Sequence, residues 1–150
     1  RARAGGLAAM QKAGAPWSPA ANVTVLVLGG AGGTGHVGIM LAKALGARRV
    51  IATASPNHFG DCRRHGADEV IDYHTHNFWE VLAPRSVQMV YNCAPVPDAF
   101  RDLTGDHAYK VLSDGGTFVG LNPGEATSPA VALGRPLVRT HIIGPATTTE

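Results

Sequence analysis

The sequence predicts an α/β fold built on a doubly wound parallel sheet, in which helices cover both faces of the sheet. The first observation behind this prediction is that short apolar runs rich in β-branched residues alternate with stretches of helical spacing. The second is that glycines mark the ends of several of these runs. Parallel neighbours need right-handed crossover connections, and such connections put helices on both faces.

The first half of the chain contains three predicted strands. Val23–Leu28 is an apolar run that ends at glycines, as expected of a strand buried on both faces. Apolar residues then recur at helical spacing from Val37 to Leu45, and Gly46 supplies a stop signal. The next predictions are a strand at Arg49–Ala54, a helix at Pro56–His65 ending at Gly66, and a strand at Glu69–Tyr73.

The second half continues the alternation of helices and strands. Its predicted elements are a short helix at Asn77–Leu82, a strand at Val87–Tyr91, a helix from about Asp98 to Leu112 and, after a turn at Gly115-Gly116, a strand at Thr117–Leu121. The segment from Leu137 to Ile143 fits either a sixth strand or the start of an element completed outside this sequence.

The composition excludes several classes of protein. A net charge of +2, with 13 basic and 11 acidic residues mixed along 150 positions, lacks the one-sided basic surface that nucleic acid requires. We find no apolar run long enough for membrane insertion, and only two cysteines, too far apart for a disulfide framework. A cytoplasmic location is expected, or a mitochondrial one if a targeting segment lies upstream.

A glycine-rich turn follows the first predicted strand. It contains the pattern G-x-G-x-x-G at Gly30, Gly32 and Gly35. We expect Gly30 to permit the tight turn, Gly32 to let the backbone approach a pyrophosphate, and Gly35 to let the helix pack against the strand. The phosphates would meet the helix N-terminus, where free amides and the helix dipole favour negative charge. The motif therefore predicts a dinucleotide-binding Rossmann fold.

The end of the second strand bears on the choice between NAD and NADP. An NAD-preferring site places an acid there, about 20 residues after the glycines. This strand ends in Thr53-Ala54-Ser55, and the next acid is Asp61. The small residues Thr53 and Ser55 leave space for a 2′-phosphate. His58, Arg63 and Arg64 lie nearby and supply positive charge, although Arg64 is better interpreted as an ordinary solvated helix residue. The sequence therefore favours NADP(H), with NAD(H) as the weaker candidate.

Several stretches in register resemble the coenzyme domain of quinone-oxidoreductase-like, zinc-independent medium-chain dehydrogenases/reductases. They are Val25–Gly35, Leu41–Ala47, Val50–Ser55, Gly66–Tyr73 and Tyr109–Val119. The resemblance implies a two-domain reductase that moves hydride from NADPH to a quinone or to the β-carbon of an α,β-unsaturated carbonyl compound. It also implies that the full-length protein acts on a small-molecule substrate and forms a homodimer, as family members often do.

The resemblance also implies roles for particular positions. The backbone around Ala31, Gly33 and Thr34 would hold the pyrophosphate. The 2′-phosphate would be bordered by Ser55, His58 and Tyr73, and the ribose and nicotinamide by Asn92–Pro95, including Cys93, and by Phe118–Gly120. Relatives often have Lys in place of His58, and a histidine carries less positive charge than a lysine near neutral pH. Relatives commonly have Asp in place of Asn92.

No zinc site is expected. Zinc-dependent cousins in the wider family place a cysteine ligand before the glycine motif, whereas the first cysteine here is Cys62. His58, Cys62 and His65 share one face of a predicted helix, but such a set beside two arginines is more often incidental. Cys93 is not expected to be a nucleophile, because no base can be identified beside it. The catalytic residues remain unknown from this sequence.

The domain organisation follows from these assignments. Residues 1–22 are expected to be a helix, at Ala4–Ala13, and a linker from an N-terminal substrate domain that this sequence lacks. Residues 23–150 would form the dinucleotide-binding domain.

A short-chain dehydrogenase is disfavoured because no Tyr has a Lys four residues later. A non-catalytic module that senses NADP(H), or serves as an adaptor, remains the alternative from another class.

Overall fold

In the part of the chain that the structure describes, six strands form one sheet in which every neighbouring pair is parallel. A computed structural model describes residues 2–94, 105–121, 135 and 137–143. The strand order is β3-β2-β1-β4-β5-β6, the order of two joined mononucleotide-binding halves. The strands are β1 Thr24–Leu28, β2 Arg49–Ala54, β3 Glu69–Asp72, β4 Val87–Asn92, β5 Leu112–Gly120 and β6 Arg139–Ile142. The predicted doubly wound Rossmann fold is confirmed.

The described helices agree with the predicted ones apart from their ends. They are α1 Ala2–Lys12, α2 Gly33–Ala44, α3 Phe59–His65, α4 Phe78–Val81 and α5 Gly105–Val111. The helix predicted at Pro56–His65 begins as a 3-10 turn at Pro56–His58 before α3. Proline suits that first position because it needs no amide partner there. The helix predicted from about Asp98 is described only from Gly105 onward, and its earlier part lies outside the described residues.

The fifth strand starts earlier than predicted. Leu112 already pairs with Val87, whereas the next paired residue, Thr117, lies opposite Met89. The intervening residues form an irregular excursion in which Gly115 has φ +83°. The turn expected at Gly115-Gly116 therefore interrupts the strand instead of preceding it, because pairing with β4 resumes beyond the excursion.

The segment from Leu137 to Ile143, left open by the sequence, supplies a sixth strand. β6 pairs in parallel with β5, with Gly120 opposite Ile142. The hydroxyls of Tyr109 and Thr140 lie 2.7 Å apart and connect α5 to β6.

The sheet separates two apolar cores, which explains the uninterrupted apolar runs in the sequence. On one face, Val25 and Val27 of β1 pack with residues of α1, α2 and α3. On the other face, Leu26 and Leu28 pack with residues of α4 and α5. Helix α1 is part of the first core, since Ala9 and Met10 have no exposed surface. In the part of the chain that the structure describes, no helix is long and apolar enough to cross a membrane.

Candidate dinucleotide-binding site

The carboxyl ends of the strands meet at one edge of the sheet, where β1 lies between β2 and β4. Leu28 pairs with Asn92, Asn92 with Gly120, and Gly120 with Ile142. The chain passes from β1 to β2 on one side and later to β4 on the other. In open α/β sheets, ligands bind in the crevice outside such a switch point.

The glycine turn begins at Gly29. Gly29 has φ +76°, a conformation that favours glycine. Its N–H donates to Oγ1 of Thr53 at 3.0 Å, and the N–H of Gly30 donates to the carbonyl of Thr53 at 2.9 Å. The tight turn that we expected at Gly30 is therefore made by Gly29, because only Gly29 has the left-handed backbone conformation.

Close packing accounts for two of the three motif glycines. A Cβ on Gly30 would lie 2.9 Å from Cβ of Ala52 and 3.0 Å from Cδ1 of Ile39. A Cβ on Gly35 would lie 2.0 Å from the carbonyl oxygen of Gly29. Gly35 therefore has the expected role of letting α2 approach the turn after β1. Gly30 has a packing role, which sequence reasoning missed.

The other glycines leave open space at the start of α2. A Cβ on Gly33 would have no heavy atom within 4 Å, and one on Gly32 would meet only the carbonyl of Gly29, at 3.7 Å. Ala31, Gly32 and Gly33 are exposed, and among the described residues no side chain caps this helix end. The first-turn amides of Gly33, Thr34 and Gly35 thus lack intrahelical partners. This open cradle of amides fits a diphosphate.

Gly32→Val is expected to fold normally and to lose dinucleotide binding. Gly32 has φ −74° and ψ 171°, which any residue can adopt, and a Cβ there meets no close contact. The isopropyl group would instead occupy the space above the helix end. Calorimetric titration with NADPH, alongside thermal unfolding, measures both effects. Unchanged affinity in the folded variant would contradict the assignment of the cradle.

At the end of β2, the predicted residues Thr53 and Ser55 differ in their exposure. Thr53 is 6% exposed and its hydroxyl is bonded to the turn, so a direct contact with cofactor stays a prediction. Ser55 is half-buried, in extended backbone just beyond the strand. His58 is exposed, and its Nδ1 lies 3.5 Å from Oδ2 of Asp61. Asp61 also pairs with Arg64, so the first acid after β2 lies beside both His58 and Arg64.

The end of β3 brings Tyr73 beside this region. Ala54 pairs with Asp72, so Ser55 and Tyr73 are the next residues along two neighbouring strands. Tyr73 is exposed, and its ring centroid lies 4.3 Å from that of His74. Ser55 and Tyr73 therefore lie together at the strand ends, as the resemblance implied, and their contact with a phosphate stays a prediction.

The end of β4 continues the row on the other side of β1. Asn92 is 1% exposed, and its Oδ1 accepts a hydrogen bond from the N–H of Ala94 at 3.1 Å. The N–H of Cys93 donates to the carbonyl of Leu28 at 2.9 Å, which fixes the backbone at the crevice. Cys93 is half-buried. Pro95, which the resemblance also placed here, lies outside the described residues.

Buried groups beneath the crevice are held in their neutral forms. Burial raises the pKa of the Cys62 thiol, which packs under the glycine turn. Burial also raises the pKa of Tyr91, with Cys93 as a further contributor. The Tyr91 ring lies where a Cβ on Gly38 would meet it at 2.9 Å, so Gly38 is another close-packing glycine that the motif did not include. A neutral Cys62 thiol is a poor nucleophile and metal ligand.

The three residues considered as metal ligands do not form a cluster. His58 lies beside Asp61, whereas the ring centroid of His65 lies 5.0 Å from that of His36. Across residues 2–94, 105–121, 135 and 137–143, no three His, Cys, Asp or Glu side chains are arranged to hold a metal ion. These residues do not fit a zinc site, and a zinc-independent protein stays a prediction.

The fold and the glycine turn define a Rossmann-type domain, and comparison with known proteins gives its family. The family model described as "Zinc-binding dehydrogenase" matches residues 33–144. The chain belongs to this family. It is 38% identical over 107 residues to a 2-methylene-furan-3-one reductase of Solanum lycopersicum, which covers 71% of the chain. It is 37% identical over 110 residues, or 73% of the chain, to a chloroplastic NADPH-dependent alkenal/one oxidoreductase of Arabidopsis thaliana.

A solved structure supports the same assignment. The quinone oxidoreductase from Coxiella burnetii matches 95% of the chain with a TM-score of 0.75 and 26% identity. The chain spans 25% and 26% of the length of the two plant relatives and 41% of that quinone oxidoreductase chain. The resemblance to quinone-oxidoreductase-like medium-chain dehydrogenases/reductases is therefore confirmed.

Proposed function

We propose that this chain is the NADP(H)-binding domain of an oxidoreductase that transfers hydride to a quinone or to an α,β-unsaturated carbonyl compound. The observation that carries the proposal is the open cradle at the start of α2, where a Cβ on Gly33 would have no heavy atom within 4 Å. The relatives support the chemistry, since they are named as a 2-methylene-furan-3-one reductase, an NADPH-dependent alkenal/one oxidoreductase and a quinone oxidoreductase.

The residues of this chain would bind and orient the cofactor. The amides of Gly33 and Thr34 would bind the pyrophosphate at the N-terminus of α2. Ser55, His58 and Tyr73 would surround the 2′-phosphate. NADPH supplies the hydride when bound, so the role of the protein is to position it against an acceptor. The proposal includes no zinc and no step at a metal.

Substrate-dependent oxidation of NADPH by the full-length protein tests this function. We expect NADPH to be consumed when a short quinone or a 2-alkenal is supplied, and to stay intact without an acceptor. Binding of NADPH with no turnover on either class of acceptor would favour the non-catalytic sensing or adaptor module instead. Stoichiometric zinc that is needed for turnover would contradict the zinc-independent assignment.

The domain is expected to bind NADPH more tightly than NADH, by about 1 to 3 kcal/mol if one or two charge-assisted hydrogen bonds reach the phosphate. β2 ends without a carboxylate to bind ribose hydroxyls, which favours the phosphate. Asp61 beside His58 keeps the preference modest. Ser55→Asp should reverse the order of affinity for the two cofactors. Its carboxylate would repel the 2′-phosphate of NADPH and accept a hydrogen bond from the ribose hydroxyl of NADH.

Calorimetric titration of both cofactors measures this preference. Ser18→Asp is the matched control, because Ser18 is exposed and precedes Pro19–Ala21, away from the carboxyl ends of the strands. The control adds the same charge and should leave the order unchanged. Tighter binding of NADH than of NADPH by the unmodified domain would refute the prediction.

A further inference from the structure

Thr53 holds two consecutive amides of the glycine turn. Its Oγ1 accepts from the N–H of Gly29 at 3.0 Å, and its carbonyl accepts from the N–H of Gly30 at 2.9 Å. Both acceptors belong to one residue near the end of β2, and the turn they hold leads directly into the cradle at α2. Both of these hydrogen bonds between the glycine turn and β2 therefore depend on a single residue.

Of these two hydrogen bonds, only the one to the Thr53 side chain can be removed by a substitution at position 53. Main-chain bonding of Gly30 to β2 is available with any residue at position 53, whereas Gly29 is bonded only because a hydroxyl is present there. Thr53 is 6% exposed, so water has little access to replace its hydroxyl as the acceptor. The Gly29 amide is part-buried, so losing its acceptor is costly, and the turn would shift to find another one.

The glycine turn determines where the cradle at the start of α2 lies. The carbonyl of Gly29 accepts from the N–H of Gly32 at 3.3 Å, and the start of α2 lies against Gly29 where Gly35 lacks a Cβ. A shift of Gly29 therefore moves the first-turn amides relative to the strand ends. Amides that bind a pyrophosphate must be held in place before the ligand arrives.

We infer that Thr53 is a positioning residue, whose hydroxyl sets cofactor affinity by fixing Gly29 and not by touching the cofactor. This inference rests on the proposed function, since it concerns affinity for NADP(H). It differs from our sequence-based expectation, which put Thr53 among the residues that contact the cofactor. It predicts that serine, which keeps a hydroxyl on Cβ, is sufficient at this position.

Three variants of the full-length protein test the inference. Thr53→Val keeps the shape but removes the acceptor, and Thr53→Ser keeps the hydroxyl. Thr117→Val makes the same replacement at a buried threonine of β5. We expect Thr53→Val to weaken NADPH binding about three- to tenfold, the loss of one ordinary hydrogen bond. Thr53→Ser should stay within about twofold of the unmodified protein, and Thr117→Val should leave the affinity unchanged.

Hydrogen exchange at the Gly29 amide, followed by NMR without cofactor, provides a readout that does not depend on binding. Exchange should accelerate in Thr53→Val and stay slow in Thr53→Ser. Unchanged exchange and affinity in Thr53→Val would overturn the inference, as would an equal loss of affinity in the valine and serine variants. Failure of the unmodified protein to bind NADPH would instead contradict the proposed function, while the exchange measurement would still test the bond.

Discussion

Gly35→Ala is expected to lower the free energy of unfolding by about 3 kcal/mol or more, toward the upper end of what overpacking costs. The new Cβ would lie 2.0 Å from the carbonyl oxygen of Gly29 and 2.8 Å from its carbonyl carbon. These are backbone atoms, so no side-chain rotation relieves the clash, and α2 must move away from β1. That movement would disturb the packing of Ile39, which has no exposed surface. Urea denaturation measures the change.

Gly33→Ala is the matched control for Gly35→Ala. Both glycines lie in the first turn of α2, but a Cβ on Gly33 would have no heavy atom within 4 Å. Alanine is also the better helix former, so we expect this variant to be as stable as the unmodified chain or slightly more stable. Equal urea midpoints for the two alanine variants would show that the contact at Gly29 does not limit stability.

The alternation of apolar runs was sufficient to predict the sheet. Strands buried on both faces, such as β1 and β2, give continuous apolar segments, and Arg49–Ala54 was predicted with the bounds that β2 has. The start of β5 was not predictable from such a pattern. Its pairing stops after Leu112 and resumes at Thr117, and an excursion of this kind depends on the neighbouring strand.

The candidate site was predicted in part, because its motif records local backbone needs but not tertiary contacts. Gly35 has the expected close approach. The roles of Gly29 and Gly30 could not be separated, since the motif does not record tertiary contacts such as the bond from Gly29, which has the positive φ, to Thr53, 24 residues away along the chain. The position of Asp61 beside His58 likewise depends on how the 3-10 turn leads into α3.

Arg135→Met is expected to lower the free energy of unfolding by about 2 to 4 kcal/mol, because it removes the buried hydrogen bonds and the ion pair that the guanidinium makes. Arg135 is 8% exposed, and its guanidinium donates to the carbonyls of Tyr109 and Leu112. The same group lies 3.1 Å from the Asp114 carboxylate. The arginine therefore connects the last turn of α5 to the first residue of β5. Methionine keeps an apolar stem of similar length and removes the donors together with their positive charge.

Arg139→Met is the control that separates burial from charge. Arg139 also donates to a carbonyl, that of Gly115 at 3.2 Å, but it is exposed at the start of β6. Water can replace that bond, so the control should change stability by less than about 0.5 kcal/mol. The two variants remove the same charge from neighbouring parts of the chain, and urea denaturation compares their midpoints. Similar midpoints for both would mean that the bonds of Arg135 at the end of α5 do not stabilise the fold, and that its burial reflects packing of the stem alone.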